Sequence, residues 1–285
     1  MNYNLLISAE QLLQLRANKT PVRIFDATFD LTDAAVGHKQ YLESHIPGAV
    51  YAHLDTTLSD KHGTGVSGGR HPLPTREKFA AWLSSTGLTN DMQAVVYDRN
   101  GANYCGRLWW MLKWAGHNNV AVLDGGLQAW QAAGGAVKSG PEAPSTSSKY
   151  ALTPSLYVLV ATKTVADNLG RPSQTLIDAR GAPRFRGEVE PLDPIAGHIP
   201  GALNRPFGQN IGADGKLKPA AELKTEFEAL LAGRDPATVV HHCGSGVSAI
   251  PNILAMQIAG LGPTGLYAGS WSDWCSDASR PMAQG

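Results

Sequence analysis

The sequence predicts an α/β protein made of two tandem domains of the same kind, each a small, mostly parallel sheet flanked by helices. Three observations carry this expectation. The chain has 285 residues, too many for one ordinary domain and suited to two of roughly 140. A set of short motifs occurs twice in the same order. Finally, β-branched runs alternate with segments of helical period, a pattern that gives parallel strands joined by right-handed crossovers.

The duplication is the strongest of these. His45-Ile46-Pro47-Gly48-Ala49 returns as His198-Ile199-Pro200-Gly201-Ala202. Ahead of each lies an apolar run ending in aspartate, Val22 to Asp26 and Thr175 to Asp178. Behind each comes another short run, Ala94 to Tyr97 and Thr238 to His241. Each half then closes on a glycine–tryptophan pattern, Gly125-Gly126 with Trp130 and Gly269-Ser270 with Trp274. A common turn explains one such match by chance. It does not explain four in one order.

The individual elements follow from local pattern. Ser8-Ala9-Glu10-Gln11 has capping-box spacing and opens a helix. Apolar residues at 79, 80, 82 and 83 form one stripe of a helix over 78–85. Trp109, Trp110 and Trp114 sit at helical spacing and are expected in the core. In the second half, Thr238 to His242 reads as a strand, and apolar residues at 247, 250, 253, 254 and 258 predict a helix from Val247 onward. Between the halves, Lys138 to Ser148 is rich in Pro, Ser and Gly and reads as a linker, because such a segment cannot bury enough apolar area to fold by itself. The expected boundaries are a domain at 1–140, a linker at 141–154 and a domain at 155–285. Ligands are expected beyond the carboxyl ends of the strands.

Composition narrows the function. Lys plus Arg and Asp plus Glu number 24 each, so no global field draws nucleic acid or an anionic membrane. No run approaches the roughly 18 apolar residues of a membrane span. The N-terminus lacks a basic region, and Glu10, Gln11 and Gln14 interrupt its apolar residues, so no signal peptide is expected. Three cysteines, Cys105, Cys243 and Cys275, are too few and odd for a disulfide framework. They suit a reducing compartment, and the cytoplasm is the expected location.

Cys243-Gly244-Ser245-Gly246 forms the turn between the predicted strand and the predicted helix. Two glycines let the backbone turn tightly, and successive amides then point inward at a helix N-terminus, a ready anion site. A cysteine there is expected to favour thiolate, and the same cradle suits a persulfide anion. Such an arrangement by itself admits several chemistries. A phosphatase loop needs an arginine six positions on, where Ala249 stands. No metal is expected, since His241 and His242 are adjacent on a strand and point to opposite faces. A thioredoxin-like site needs a second cysteine at Gly246. An inert cysteine in a glycine-rich turn stays open beside a nucleophile.

Together these residues resemble the tandem-domain rhodanese family over nearly the whole chain. The stretch Cys243-Gly244-Ser245-Gly246-Val247-Ser248-Ala249 is similar to the loop of its 3-mercaptopyruvate sulfurtransferases, CG(S/T)GVTA, with Ser248 in place of threonine. Thiosulfate-specific members usually carry basic residues after the cysteine, whereas Gly244 and Ser245 are neutral.

The resemblance implies a catalytic second domain and a non-catalytic first one. Aligning Val95-Val96-Tyr97-Asp98 with Val239-Val240-His241-His242 sets Arg99 opposite Cys243, while Cys105 and Cys275 are expected to be structural. By the same resemblance Cys243 is the nucleophile, and Ser245, His71 and Asp55 form a set that handles protons. Gly244, Gly246, Val247 and Ser248 surround the bound sulfur, and Arg184 grips the donor's carboxylate, which suits a planar guanidinium. Arg186 is either a further contact or half of a surface ion pair. A second family arginine, normally in a Glu-Pro-Arg context, is replaced here in Glu190-Pro191-Leu192, and the grip on mercaptopyruvate is expected to loosen.

The implied reaction is a double displacement through a Cys243 persulfide, with 3-mercaptopyruvate favoured over thiosulfate as donor. The acceptor is cyanide, a small thiol or a thioredoxin-like protein, and no cofactor is needed. A persulfide relay serving a protein partner is the alternative from another class.

Overall fold

A computed structural model describes residues 2–285, which divide into two compact units. The first unit takes the chain up to Asp60, Pro74–Leu156 and Ala213–Lys216. The second takes Lys61–Leu73, Tyr157–Gly212 and Leu217–Gly285.

Along the first unit run β1 (Leu6–Ile7), α1 (Ala9–Ala17), β2 (Val22–Asp26), α2 (Ala34–Glu43), β3 (Val50–Tyr51), α3 (Arg76–Ser85), β4 (Gln93–Tyr97), α4 (Cys105–Trp114), β5 (Val120–Leu123) and α5 (Gly126–Ala132). The second unit repeats the plan with β6 (Val158–Leu159), α6 (Thr162–Asp167), β7 (Thr175–Asp178), α7 (Ala182–Phe185), β8 (Leu203–Asn204), α8 (Ala220–Leu231), β9 (Val239–His242), α9 (Ile250–Ile258), β10 (Gly265–Leu266) and α10 (Ser270–Trp274). Sheet orders are β1-β5-β4-β2-β3 and β6-β10-β9-β7-β8, the same permutation, and every pairing is parallel. Both units are thus α/β folds with a five-stranded parallel sheet. Among the described residues no helix is long and apolar enough to cross a membrane.

The second sheet is apolar on both faces, as parallel strands covered by helices must be. Alternate residues of β7 and β9 serve opposite faces: Leu176 and Val240 pack with Trp271 and Trp274, whereas Ile177 and Val239 pack with Leu223, Phe227 and Met256. In the first unit Trp109, Trp110 and Trp114 lie buried on α4, as their spacing predicts. The helix α1 opens on the expected capping box, with Ser8 Oγ accepting from Gln11 and Gln11 Oε1 accepting from Ser8. The helix α9 corrects its prediction. It begins at Ile250, three residues beyond Val247, with Pro251 in its first turn.

The repeated His-Ile-Pro-Gly-Ala motif does the same work twice. Its isoleucine is fully buried, its glycine takes φ of +82° at Gly48 and +78° at Gly201, and the alanine amide closes the turn on the isoleucine carbonyl. Each histidine donates through Nδ1 to a backbone carbonyl, His45 to Tyr41 at 2.7 Å and His198 to Phe185 at 2.8 Å.

Residues 138–154 are almost without regular structure, yet they are strapped to the first unit. Glu142 accepts from the Gly48 amide at 2.8 Å, Arg23 donates to Ser145, Asn90 accepts from the Ala151 amide, and Thr153 donates to the Gly116 carbonyl. A segment too polar for its own core is held by hydrogen bonds instead.

Candidate active site

In the second unit the chain leaves β9 at the carboxyl edge of the sheet and turns through residues 243–249 before α9 begins. The start of α10 ties down one side of this loop. Cys243 donates its amide to Ser270 Oγ at 3.1 Å, and the carbonyls of Cys243 and Gly244 accept from the Trp271 and Ser272 amides at 2.9 Å. Gly246 has φ of +73°, and a Cβ there would lie 2.3 Å from the Ala268 carbonyl oxygen, so only glycine lets the turn pack this closely. On the other side the amides of Gly244, Ser245, Val247, Ser248 and Ala249 donate to no protein acceptor among the described residues. Those N–H groups beside a helix start form the concavity that favours an anion. Cys243 is only 2% exposed within it.

A second segment of this unit, residues 65–73, brings further groups to the loop. It closes on itself, with the Val66 amide bonded to the Leu73 carbonyl and the Leu73 amide to Ser67 Oγ. It lies flat on α10 because Gly68 and Gly69 carry no side chains. A Cβ on Gly68 would stand 2.3 Å from Asp273 Oδ1, and one on Gly69 2.5 Å from the Gly269 carbonyl oxygen. The Arg70 amide then reaches Ser272 Oγ at 3.1 Å, and the buried His71 shares a 2.8 Å hydrogen bond between Nδ1 and Ser245 Oγ.

Three guanidiniums and three carboxylates complete the surroundings. Arg184 grips Glu190 through two nitrogens, at 3.2 and 2.6 Å, and reaches Asp193 at 3.4 Å. Arg70 pairs with the other oxygen of Asp193. Arg180 is buried between Asp178, at 2.8 Å, and Glu190, at 3.3 Å, and stacks its guanidinium 4.9 Å from the Trp271 ring. Burial alone would raise the Glu190 carboxyl. Hydrogen bonds from Arg184 and the Leu192 amide outweigh it and hold the group below the usual carboxylate range. Both Arg70 and Arg184 face Gly244: a Cβ there would lie 2.9 Å from Arg70 Nη2 and 3.5 Å from Arg184 Nη2.

Comparison with known proteins assigns this architecture. The Rhodanese-like domain profile matches residues 8–133 and 161–277, one match in each half. The chain belongs to the rhodanese family. A Pseudomonas aeruginosa protein provisionally named 3-mercaptopyruvate sulfurtransferase is 44% identical over 281 residues, 98% of each chain. Mycobacterium tuberculosis SseB, provisionally named thiosulfate sulfurtransferase, is 40% identical over 98% of this chain and 97% of its own. The structure of the 3-mercaptopyruvate sulfurtransferase from Leishmania major superposes with a TM-score of 0.80 at 31% identity, covering 96% of this chain and 74% of that one. This tandem rhodanese is therefore a sulfurtransferase.

Of the site residues expected from sequence, Cys243, Gly244, Ser245, Gly246, Val247 and Ser248 form the loop itself, and His71 and Arg184 join them in the second rhodanese unit. Asp55 belongs to the first unit, where its amide donates to His53 Nδ1 at 3.1 Å. Arg186 is 44% exposed and pairs with Glu188 at 2.7 Å. Leu192 is 45% exposed. Arg70 and Arg180 escaped the sequence reading. The run Gly68-Gly69-Arg70 next to His71 was the available signal for Arg70, because paired glycines mark a close backbone approach.

The first unit corrects one alignment. Asp26 pairs in register with Tyr97, and Asp178 with His242. The Ala27 amide bonds to the Tyr97 carbonyl as the Ala179 amide does to His242. The residue equivalent to Cys243 is therefore Asp98, not Arg99. Its carboxylate accepts from the amides of Asn100, Ala102, Tyr104 and Cys105 at 2.8–3.1 Å. The duplicate of the cysteine loop is thus already filled by an anion of its own chain.

Proposed function

We propose that this sulfurtransferase moves sulfur from 3-mercaptopyruvate to a small thiol, cyanide or a thioredoxin-like acceptor through a persulfide on Cys243. In the first step the Cys243 thiolate attacks the donor sulfur. A sulfur–sulfur bond forms, the donor's carbon–sulfur bond breaks, and the enolate of pyruvate leaves and takes up a proton. The acceptor thiolate then attacks the outer sulfur, and Cys243 departs as thiolate. Loop amides hold the sulfur anions, the His71–Ser245 pair exchanges the protons, and Arg184 orients the donor's carboxylate.

The single observation behind this reading is the Cys243 loop with its unpartnered amides, since the same loop in the first unit holds a carboxylate at the equivalent position. The neutral Gly244 and Ser245 favour a monoanionic donor over dianionic thiosulfate, which gains most from side-chain cations on the loop. A thiosulfate donor is the second reading, favoured by the name of the M. tuberculosis relative.

Steady-state rates with both donors, measured side by side on one preparation, test the assignment. Wild type is expected to have the higher kcat/KM with mercaptopyruvate, and Cys243→Ser to lose transfer from either. A wild-type preference for thiosulfate would reverse the donor assignment and leave the persulfide step standing.

A further inference from the structure

We propose that the second unit carries, at the amino edge of its sheet, a docking groove for an extended acidic segment of a partner protein. The first unit has the same groove and fills it with its own chain. Duplication therefore supplies the template for the occupant.

In the first unit the strap after α5 meets the repeated turn. His45 and Lys138 form an antiparallel bridge, both amides donating at 2.9 Å, and the Gly140 amide then donates to the Leu42 carbonyl at 2.7 Å. Two residues on, Glu142 Oε1 accepts from the Gly48 amide at 2.8 Å and lies 3.2 Å from His45 Nε2. The strap goes on to cover Gly87, just past the end of α3, where an added Cβ would stand 2.7 Å from the Thr146 carbonyl oxygen. The second unit repeats the start of this path. His198 bridges Ala283 in the same antiparallel fashion, and the Gly285 amide donates to the Arg186 carbonyl at 3.0 Å. His45 stacks on Tyr41 and His198 on Phe185, each bonded through Nδ1 to that residue's carbonyl, so Nε2 faces the same way in both. No described residue takes the place of Glu142. The Gly201 amide and His198 Nε2 have no partner among the described residues, and a Cβ on Gly233, just past the end of α8, would meet nothing within 4 Å.

The groove of the second unit measures about 550 Å³, and its walls include Thr175 and Leu176 of β7, Gly201, Arg171, Arg234 and Asp235. Its counterpart in the first unit, with the strap in place, keeps about 330 Å³. The chemistry of the walls selects the occupant. Glu142 takes a cation from its own strap, Lys138 Nζ at 2.8 Å from Oε2. Ala283 stands where Lys138 would, and the groove brings cations of its own: Arg171 and Arg234 are exposed there against the single carboxylate of Asp235. A free amide in the same groove as two guanidiniums suits a carboxylate. The strap passes its groove without regular structure, so the matching partner segment is extended, an acidic residue followed by small residues and proline, as in Glu142-Ala143-Pro144-Ser145. The groove lies at the start of β7, whereas Cys243 follows the far end of the parallel strand β9. A bound segment therefore holds a partner without covering the Cys243 loop.

The test titrates a capped synthetic peptide with the sequence of residues 141–148 into the full-length protein by calorimetry. Melting curves establish that every variant is folded. One peptide should bind per chain, and a peptide carrying Glu142→Gln should bind about fivefold more weakly or worse. Arg171→Glu with Arg234→Glu should weaken binding at least tenfold, by turning attraction into repulsion. The matched reversal Lys19→Glu with Lys39→Glu, exposed on the first unit, should change it less than twofold. Hydrogen exchange should slow across residues 199–203 when the peptide binds, and sulfur transfer should keep its rate. No saturable binding up to about 1 mM peptide overturns the proposal, as does equal affinity in the Arg171, Arg234 double variant. Protection found elsewhere and not at 199–203 overturns it too. Competition between the peptide and the sulfur donor would place the peptide at Cys243 and has the same consequence.

Discussion

Ser270 shows how much the site asks of one residue. It holds φ at +57°, a left-handed conformation that costs a non-glycine residue roughly 1–2 kcal/mol. At the matching place in the first unit stands Gly126, with φ of +59° and no such cost. Serine persists in the second unit with its hydroxyl fully used, accepting the Cys243 amide at 3.1 Å and donating to the Tyr267 carbonyl at 3.0 Å. Ser270→Gly removes the strain and the two hydrogen bonds together, each bond worth roughly 1 kcal/mol, so stability should change little. Activity should fall several-fold, because the first residue of the loop loses its anchor. A melting temperature within a few degrees of wild type with unchanged kcat would show that Ser270 does not position Cys243. At this scale sequence was informative only where a local pattern existed. The Cys243 turn was legible, whereas the contact of His71 with Ser245 spans 174 positions and was reached only through family resemblance.

At the scale of elements, the two strand–loop–helix units after β4 and β9 can be compared within one chain. Glycine with positive φ recurs at equivalent places, Gly101 at +65° and Gly246 at +73°, and the helices start seven residues after Asp98 and Cys243 respectively. Apolar spacing misjudged the second helix start, because Val247 is buried like a helical residue but belongs to the loop. The alignment of the halves slipped by one residue for a related reason: short apolar strands carry little register information, and the hydrogen-bond ladder fixes it. Asp98 is buried with four amide donors, so Asp98→Ala leaves them without their anion. One hydrogen bond to a charged group contributes roughly 1.5–3 kcal/mol, and the loss should be at least about 3 kcal/mol. Calorimetric melting should show the first unit destabilised by roughly 6–12 °C on the usual scaling for domains of this size. A transition at the wild-type temperature would mean that such a loop gains little from an enclosed anion, and the reading of the Cys243 loop would weaken with it.

For the molecule as a whole, duplication was the most legible property, because repeated turns and strand endings are local and leave a one-dimensional trace. The strapping of residues 138–154 left none, being made of single polar contacts to distant backbone. The distribution of thiols tests the whole picture at once. Burial, then the nearby Asp98, pushes the Cys105 thiol well above its ordinary range. Burial, then Asp193, also raises the thiol of Cys275. Both are packed in the core at ends of helices, Cys105 opening α4 and Cys275 following α10, and neither borders a loop of open amides. A raised thiol is a poor source of thiolate near neutral pH, so neither should take up sulfur. The Cys105→Ala, Cys275→Ala double variant should therefore gain one sulfur per chain on donor treatment, about 32 Da by intact mass, at a rate close to wild type, as expected for one covalent nucleophile. Cys243→Ser should gain none. Peptide mapping that finds the added sulfur on Cys105 or Cys275 in the wild-type chain would remove Cys243 as the carrier, and with it the distinction drawn between a loop filled by Asp98 and one left open.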